Sequence, residues 1–176
     1  HVLFRRQRQM CIRDRGNSGQ SCNAPTRMLV PKSRHDEAIT IAKSALEKVK
    51  VGDPLDLNSN LGPLVSKNQF DKVQKLIKKG IEEGANLVAG GTGRPNGYEK
   101  GFYARPTIFG NVSNQMVIAK EEIFGPVLTI IPYDDLEEAI SIANDTIYGL
   151  AAYVTGEDRE KCLEISRELR AGQISI

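Results

Sequence analysis

Short runs of apolar residues alternate along this chain with segments in which hydrophobic residues recur every three or four positions. Such runs are typical of buried strands, and the three-to-four spacing is typical of amphipathic helices. Strands are therefore predicted at residues 28–30, 87–89, 102–109 with an interruption at Pro106, 127–131 before Pro132, 150–154, and from residue 173 onward. Strands that alternate with helices predict the α/β class, with a mostly parallel sheet and helices on both of its faces.

Four helices are predicted, each beginning at polar residues suited to cap free backbone amides. Ser33 and Asp36 precede the first helix, and capping boxes open the other three at Ser66, Asp135 and Thr155. The predicted buried faces consist of Ala38, Ile39, Ala42, Ala45, Leu46 and Val49; of Phe70, Val73, Ile77 and Ile81; of Leu136, Ala139, Ile140 and Ala143; and of Cys162, Ile165, Ser166 and Leu169.

The glycine-rich segment GGTGRPNG, residues 90–97, superficially resembles a phosphate-binding loop. Such a loop needs a helix directly behind it, because the amides of the helix contact the phosphates. Pro95, Gly97 and Gly101 prevent a helix at this point. The segment is predicted to be a surface turn.

The composition, 40% hydrophobic over 176 residues, is that of one globular domain with enough apolar material for a core. No stretch has the length and apolarity of a membrane span or a signal peptide, so a cytoplasmic protein is expected. Cys11, Cys22 and Cys162 are an odd number of cysteines at wide spacing. They favour neither a disulfide framework nor a zinc site, and no metal is expected.

The net charge of +2 originates in the first 15 residues, which hold five of the 24 basic residues and one of the 22 acidic residues. The rest of the chain, with 19 basic and 21 acidic residues, carries no nucleic-acid-binding motif, so nucleic acid is not an expected partner. Residues 1–15 are interpreted as a non-native or disordered basic tail. Residues 16–176 are interpreted as part of a domain that stops within a strand.

Cys22 lies in the stretch GNSGQSCNAPTR, residues 16–27, among small and polar residues. A structural cysteine is usually surrounded by apolar residues, so this setting indicates an accessible turn. A nucleophilic cysteine needs its thiolate form, which a cation or a helix N-terminus stabilises. A helical turn capped by Asn17 or Ser18, together with Arg27, is expected to supply that help. On these residues alone, a reactive and an inert cysteine both remain open.

A second stretch with candidate functional residues is AKEEIFGPVLTI, residues 119–130. In it, two adjacent glutamates precede Phe124 and a predicted strand. In open α/β sheets ligands gather at strand ends, so a carboxylate and an aromatic ring here are candidate binding groups. The alternative is a solvated pair of glutamates before a Gly-Pro turn. The two glutamates are poor candidates for the catalytic acid and base of a glycosidase, because the side chains of adjacent residues in an extended chain point to opposite sides.

GQSC at residues 19–22 and KEEIFGPV at residues 120–127 resemble motifs of the aldehyde dehydrogenase superfamily. Further similarity, in the same order and spacing, is carried by residues 23–27, 61–63, 103–109, 144–150 and 170–172. The resemblance covers essentially all of residues 16–176. It implies a truncated catalytic domain from an NAD(P)-dependent enzyme that oxidises an aldehyde to a carboxylic acid and is itself a homo-oligomer.

By this resemblance Cys22 is the catalytic nucleophile, which forms a thiohemiacetal with the aldehyde and then a thioester that water hydrolyses. The resemblance also implies that Glu122 holds the nicotinamide ribose hydroxyls of NAD or NADP and that Phe124 packs near the nicotinamide end. Ser21 and Asn23 would line the substrate channel.

In this family the dinucleotide-binding domain, the general base and the oxyanion-hole asparagine lie upstream of the cysteine, and this sequence does not contain them. The chain alone is therefore expected to be inactive. Two alternatives remain open: a non-enzymatic truncated or interaction domain, and a cysteine hydrolase or acyltransferase that uses Cys22 with His35 as its base.

Overall fold

The computed structural model describes residues 16–176, which form two sheets and five α-helical segments. The strands are β1 (Arg27–Pro31), β2 (Asn86–Ala89), β3 (Thr107–Gly110), β4 (Val127–Tyr133), β5 (Ala151–Tyr153) and β6 (Gln173–Ser175). The helices are α1 (His35–Leu46), α2 (Lys67–Glu82), the single turn α3 (Val117–Lys120), α4 (Leu136–Asn144) and α5 (Arg159–Glu168). The basic tail predicted at residues 1–15 lies outside the described residues.

The main sheet has four strands in the order β1-β4-β3-β2. β4 pairs in parallel with β1 on one side and with β3 on the other, whereas β2 pairs antiparallel with β3. β5 and β6 form a separate parallel pair. The predicted α/β fold with a mostly parallel sheet is therefore confirmed.

The hydrophobic core lies on both faces of the four-stranded sheet. On one face, α2 contributes Phe70, Val73 and Ile77 to the larger cluster of buried side chains. On the other face, α1 contributes Ala38 and Ala42 to a smaller cluster. β4 supplies Val127 and Ile131 to the larger cluster and Leu128 and Ile130 to the smaller one. A strand buried on both faces explains the continuous apolar run in the sequence.

Two strand predictions were wrong at their boundaries, and a proline is involved in each. Residues 102–106 do not form a strand, and β3 begins only after Pro106, which has no N–H to donate to a ladder. β4 continues through Pro132, which the sequence had indicated as its end. β4 pairs with β3 only as far as Thr129, so Pro132 has a neighbouring strand on one side alone and its missing N–H is tolerated.

The helix caps were predicted correctly in two of four cases. The side chains of Ser66 and Asp135 accept hydrogen bonds from the backbone three residues on, which opens α2 and α4. Asp158, not Thr155, caps α5. α1 begins at His35 without a side-chain cap, so neither Ser33 nor Asp36 serves as one.

The buried faces of three helices differ from the predicted ones. In α5, Cys162 is the one residue of the predicted face that is buried. In α2, Ile81 is 43% exposed, whereas Leu76 is buried with the predicted residues. In α4, Ile142 is buried and Ile140 is not. Ile81 and Leu76 are five positions apart and Ile140 and Ile142 are two apart, so in each of these two helices the buried residue lies on a different side from the predicted one.

The segment at residues 90–97 is an irregular turn, as predicted. Gly90, Gly91, Gly93 and Gly97 all have positive φ, and the next element along the chain is the strand β3, not a helix. Within residues 16–176, no helix has the length and apolarity needed to cross a membrane.

Candidate functional site

Cys22 lies in a tight turn just before β1. The N–H of Ala24 donates to the carbonyl oxygen of Ser21 at 3.0 Å, which places Cys22 and Asn23 at the centre of the turn. Ser21, Cys22 and Asn23 are all exposed. The predicted accessible turn is therefore confirmed.

The helical turn expected beside the cysteine is not present. Asn17, Ser18 and Gly19 have φ of 57°, 59° and 72°, so the chain follows a left-handed path there and a right-handed helix cannot begin. Arg27 does not serve as the expected cation either. Its Nη2 donates to Asn114 Oδ1 at 2.9 Å and to the carbonyl oxygen of Ile142 at 2.8 Å.

The left-handed segment is fixed on the loop before α2. Ser18 is 1% exposed, and its hydroxyl donates to the carbonyl oxygen of Gly62 at 2.7 Å. The side-chain oxygen of Gln20 accepts from the N–H of Val65 at 2.8 Å. Left-handed non-glycine residues are strained and persist only where the surroundings over-determine them. These two bonds provide that support.

Glu122 and Phe124 lie in a loop between α3 and β4. Glu122 is exposed, and its carboxylate makes no hydrogen bond or ion pair with any residue in the described part of the chain. Phe124 is half-buried and left-handed, with φ of 53°. The side-chain amide of Gln69 donates to the carbonyl oxygens of Ile123 and Phe124, at 3.0 and 2.8 Å, and so holds this turn against α2.

The cysteine loop and the glutamate loop are in direct backbone contact. A methyl group built on Gly19 would overlap the carbonyl oxygen of Gly125. The contact follows from the topology, because the two loops precede β1 and β4, which are adjacent and parallel. Both predicted stretches therefore lie at the amino edge of these strands. Ligands of open α/β sheets more often bind beyond the carboxyl ends.

A polar network lies behind the two loops. Asp145 accepts hydrogen bonds from Asn114 Nδ2 at 2.8 Å and from Lys120 Nζ. The hydrogen bond and charge of Lys120 hold the pKa of Asp145 below its ordinary value, with smaller contributions from Asn114 and Arg27. Burial lowers the pKa of Arg27, and the charge of Asp145 opposes this shift. The network connects the start of β1 with α3 and the end of α4.

Two tyrosines also contact the loops, and sequence reasoning gave neither of them a role. The hydroxyl of Tyr148 accepts from the N–H of Glu122 at 3.3 Å. The hydroxyl of Tyr153 donates to the carbonyl oxygen of Asn23 at 3.0 Å. Tyr148 belongs to the stretch at residues 144–150 that carried part of the family resemblance. That membership was the one signal in the sequence that could have pointed to a role for it.

His35 is buried away from the cysteine turn. Its Nε2 accepts from the N–H of Asn111 at 2.9 Å, and its Nδ1 lies 3.7 Å from Asp36 Oδ1. Both ring nitrogens therefore face groups other than the thiol of Cys22, and the alternative of a Cys22–His35 hydrolase receives no support. Within residues 16–176, no group of three or more His, Cys, Asp and Glu side chains is arranged to hold a metal ion.

The chain matches the model of the aldehyde dehydrogenase family over residues 9–176. It is 54% identical over 160 residues to a putative aldehyde dehydrogenase of Staphylococcus haemolyticus, an alignment that covers 91% of this chain and 34% of the relative. A putative aldehyde dehydrogenase of Staphylococcus aureus is 55% identical with the same coverage. The chain belongs to the aldehyde dehydrogenase family.

Solved structures agree with this assignment. A mutant of aldehyde dehydrogenase C from Pseudomonas syringae, in complex with NAD+ and octanal, superimposes with a TM-score of 0.95 and 46% identity, over 98% of this chain and 36% of that one. An aldehyde dehydrogenase of Mycobacterium tuberculosis in complex with NAD+ gives a TM-score of 0.92 and 48% identity, over 96% of this chain and 35% of that one. The chain thus spans about a third of the length of its relatives.

Proposed function

We propose that this chain is the cysteine-bearing part of an NAD(P)-dependent aldehyde dehydrogenase, which oxidises an aldehyde to a carboxylic acid. The observation that carries the proposal is the backbone contact of Gly19 with Gly125, which sets the turn of Cys22 beside the loop of Glu122. Support also comes from relatives whose structures hold NAD+ and, in one case, octanal.

Cys22 is the nucleophile in this proposal. Its thiolate adds to the carbonyl carbon of the aldehyde, and the carbonyl oxygen becomes an oxyanion. The N–H of Cys22 donates to no acceptor within residues 16–176, so it is available to that oxyanion. Loss of a hydride with its two electrons converts the thiohemiacetal to a thioester. Water then releases the carboxylic acid and restores the thiol.

The nicotinamide ring of NAD or NADP supplies the hydride acceptor when the cofactor is bound. The residues present fit such a group, because the carboxylate of Glu122 is exposed and carries two acceptor oxygens with no partner in the described part of the chain. Two adjacent ribose hydroxyls are a matching pair of donors. Phe124 offers a half-buried ring two residues away for the nicotinamide end.

Ser21 and Asn23 flank the nucleophile and would line the substrate channel. Both are exposed, and the hydroxyl of Ser21 donates to Asn23 Oδ1 at 3.2 Å across the turn. This bond fixes the two side chains on either side of Cys22. Their polarity would affect how the aldehyde oxygen is oriented, without supplying a second nucleophile.

The test is NADH or NADPH formation by the complete enzyme and by its variants. Cys22→Ala should abolish turnover, and Glu122→Gln should slow hydride transfer with the fold intact. Glu121→Gln is the matched control, because Glu121 is a neighbouring glutamate that is also exposed and has no proposed role. A complete enzyme that is indifferent to Cys22→Ala would overturn the assignment.

We also propose that the 176-residue chain alone has no appreciable activity. The family's cofactor domain and general base are needed as well, and a general base typically contributes about 10² to 10⁴ in rate. Adding aldehyde and NAD+ to the isolated chain should give no cofactor reduction above the rate of a Cys22→Ala control. Robust turnover by this chain would contradict the proposal.

A further inference from the structure

The segment from Asp145 to Tyr153, which runs from the end of α4 through β5, contacts both loops of the candidate site. At its start, Asp145 accepts from Lys120 Nζ through its carboxylate and, at 3.1 Å, through its backbone carbonyl. In its middle, Tyr148 accepts from the N–H of Glu122. At its end, Tyr153 donates to the carbonyl oxygen of Asn23.

We propose that Tyr148 and Tyr153 are positioning residues that hold the loop of Glu122 and the turn of Cys22 in a fixed relation to each other, a role that rests on the proposed function. Tyr148 acts through the backbone of the residue that would hold the cofactor. Tyr153 acts through the backbone of the residue next to the nucleophile. Neither hydroxyl needs to contact a reacting atom.

A positioning residue must itself be held in place, and hydrogen bonds from the loop before β6 hold this segment at its start and in its middle. Arg170 bonds to Asn144 through its backbone N–H at 2.8 Å and to the carbonyl oxygen of Thr146 through Nη2 at 3.1 Å. The N–H of Gly172 donates to the carbonyl oxygen of Gly149 at 2.7 Å. β5, at the end of the segment, also pairs with β6, and Lys120 of α3 bonds to Asp145 at its start. The two hydroxyl groups therefore project from a segment that is fixed to both elements.

The two tyrosines are not explained by core packing. Tyr148 is 42% exposed, and Tyr153 is half-buried and belongs to neither hydrophobic cluster. Rings that bury little apolar area contribute little to stability through burial. The hydroxyl of Tyr148 contacts the backbone of Glu122 itself, and the hydroxyl of Tyr153 contacts the backbone of Asn23, the residue after Cys22.

The first test measures backbone hydrogen exchange in the 176-residue chain, so it does not depend on enzymatic activity. Tyr148→Phe should accelerate exchange at the amide of Glu122, and Tyr153→Phe should accelerate it at Ala24, whose N–H closes the turn around Cys22. Each increase should be about fivefold, the size expected for one lost hydrogen bond. Tyr98→Phe is the control, because it removes a tyrosine hydroxyl that bonds to the carbonyl oxygen of Val51 at 3.0 Å, the same length as the bond of Tyr153.

Exchange at Glu122 and Ala24 that matches the Tyr98→Phe control would overturn the positioning role. Should Tyr148→Phe fail to fold, Thr146→Val provides the same test. It removes the 3.2 Å bond from the N–H of Tyr148 to Thr146 Oγ1 and shifts the tyrosine without altering its ring. Faster exchange at Glu122 in that variant supports the role, and unchanged exchange contradicts it.

The second test separates positioning from general destabilisation in the complete enzyme. Tyr148→Phe should raise the KM for the nicotinamide cofactor severalfold with little change in the KM for aldehyde. Tyr153→Phe should lower kcat with the cofactor KM unchanged. Equal effects of both variants on all constants would contradict the positioning role. A wild-type enzyme with no aldehyde oxidation would instead contradict the proposed function. The exchange data would still show whether Tyr148 and Tyr153 hold the two loops.

Discussion

The side-chain amide of Gln69 donates to the carbonyl oxygen of Phe124 at 2.8 Å, and so connects the first turn of α2 to the left-handed turn before β4. The same nitrogen donates to the carbonyl oxygen of Ile123 at 3.0 Å. The backbone N–H of Gln69 is used separately, in the helix cap with Ser66. Gln69 therefore takes part in the cap of α2 through its backbone and holds the loop of the candidate cofactor site through its side chain.

Gln69→Leu should destabilise the fold by about 1–2 kcal/mol, because two carbonyl oxygens lose their donor while the helix cap is kept. The free energy of unfolding in urea measures the effect. Asn68→Leu is the matched control, since Asn68 is exposed on the same turn of α2, and its effect should stay within about 0.5 kcal/mol. Equal effects of the two variants would show that the bonds to Ile123 and Phe124 add nothing.

Gly19→Ala should destabilise the protein more than Gly84→Ala, although both glycines have positive φ, +72° and +87°. At Gly84 the new methyl group meets nothing within 4 Å, so only backbone strain of about 1 kcal/mol is expected. At Gly19 the methyl group also overlaps the carbonyl oxygen of Gly125, so the two site loops must separate. Urea unfolding of both variants compares the two costs, and equal values would contradict the close contact.

Cys22 should react with an alkylating agent much faster than Cys162 in the folded chain. Cys22 is exposed, whereas Cys162 is 3% exposed and reacts only when α5 opens locally. Mass mapping of labelled peptides measures each thiol separately. In denaturant the two rates should converge, and similar rates in the folded protein would show that the turn is not accessible.

Asp145→Asn should destabilise the protein at neutral pH and progressively less in acid. Lys120 lowers the pKa of Asp145, so the folded-state pKa lies below the unfolded value of about 3.9. The stability from this carboxylate is therefore present above about pH 4 and is lost as the pH falls through the folded-state pKa. Urea unfolding of both proteins at several pH values checks this, and Lys120→Met should remove the same pH dependence. A difference that grows on acidification would contradict the pairing.

The elements that could be predicted from sequence are those whose signals are local. The apolar run of β4 and the cap formed by Ser66 depend on residues within a few positions of each other. The cap was predicted correctly, and so was the presence of the strand, although not its end beyond Pro132. The left-handed path from Asn17 to Gly19 could not be predicted in this way. Asn and Ser also cap right-handed helices, and the choice here depends on packing against Gly125, which is distant in sequence.

The supporting residues of the site were missed for a related reason. Gln69, Tyr148 and Tyr153 bond to residues that are 54, 26 and 130 positions away in sequence. Polar and aromatic side chains with such partners look like ordinary surface residues in a single sequence. Cys22 and Glu122 stood out because their neighbours form motifs, and their roles stay predictions for the experiments described above.

The two hydrophobic clusters of the main sheet end in sequence at Ile142. The buried hydrophobic side chains of residues 145–176 are Val154 and Cys162, and neither belongs to a cluster. The part of the chain that tethers the cysteine turn is therefore held mainly by polar contacts, which places it among the regions that open at low free energy. On warming, the segment that tethers the cysteine turn should open before the sheet melts, so the loss of hydrogen-exchange protection at Ala24 and global unfolding would be two separate transitions.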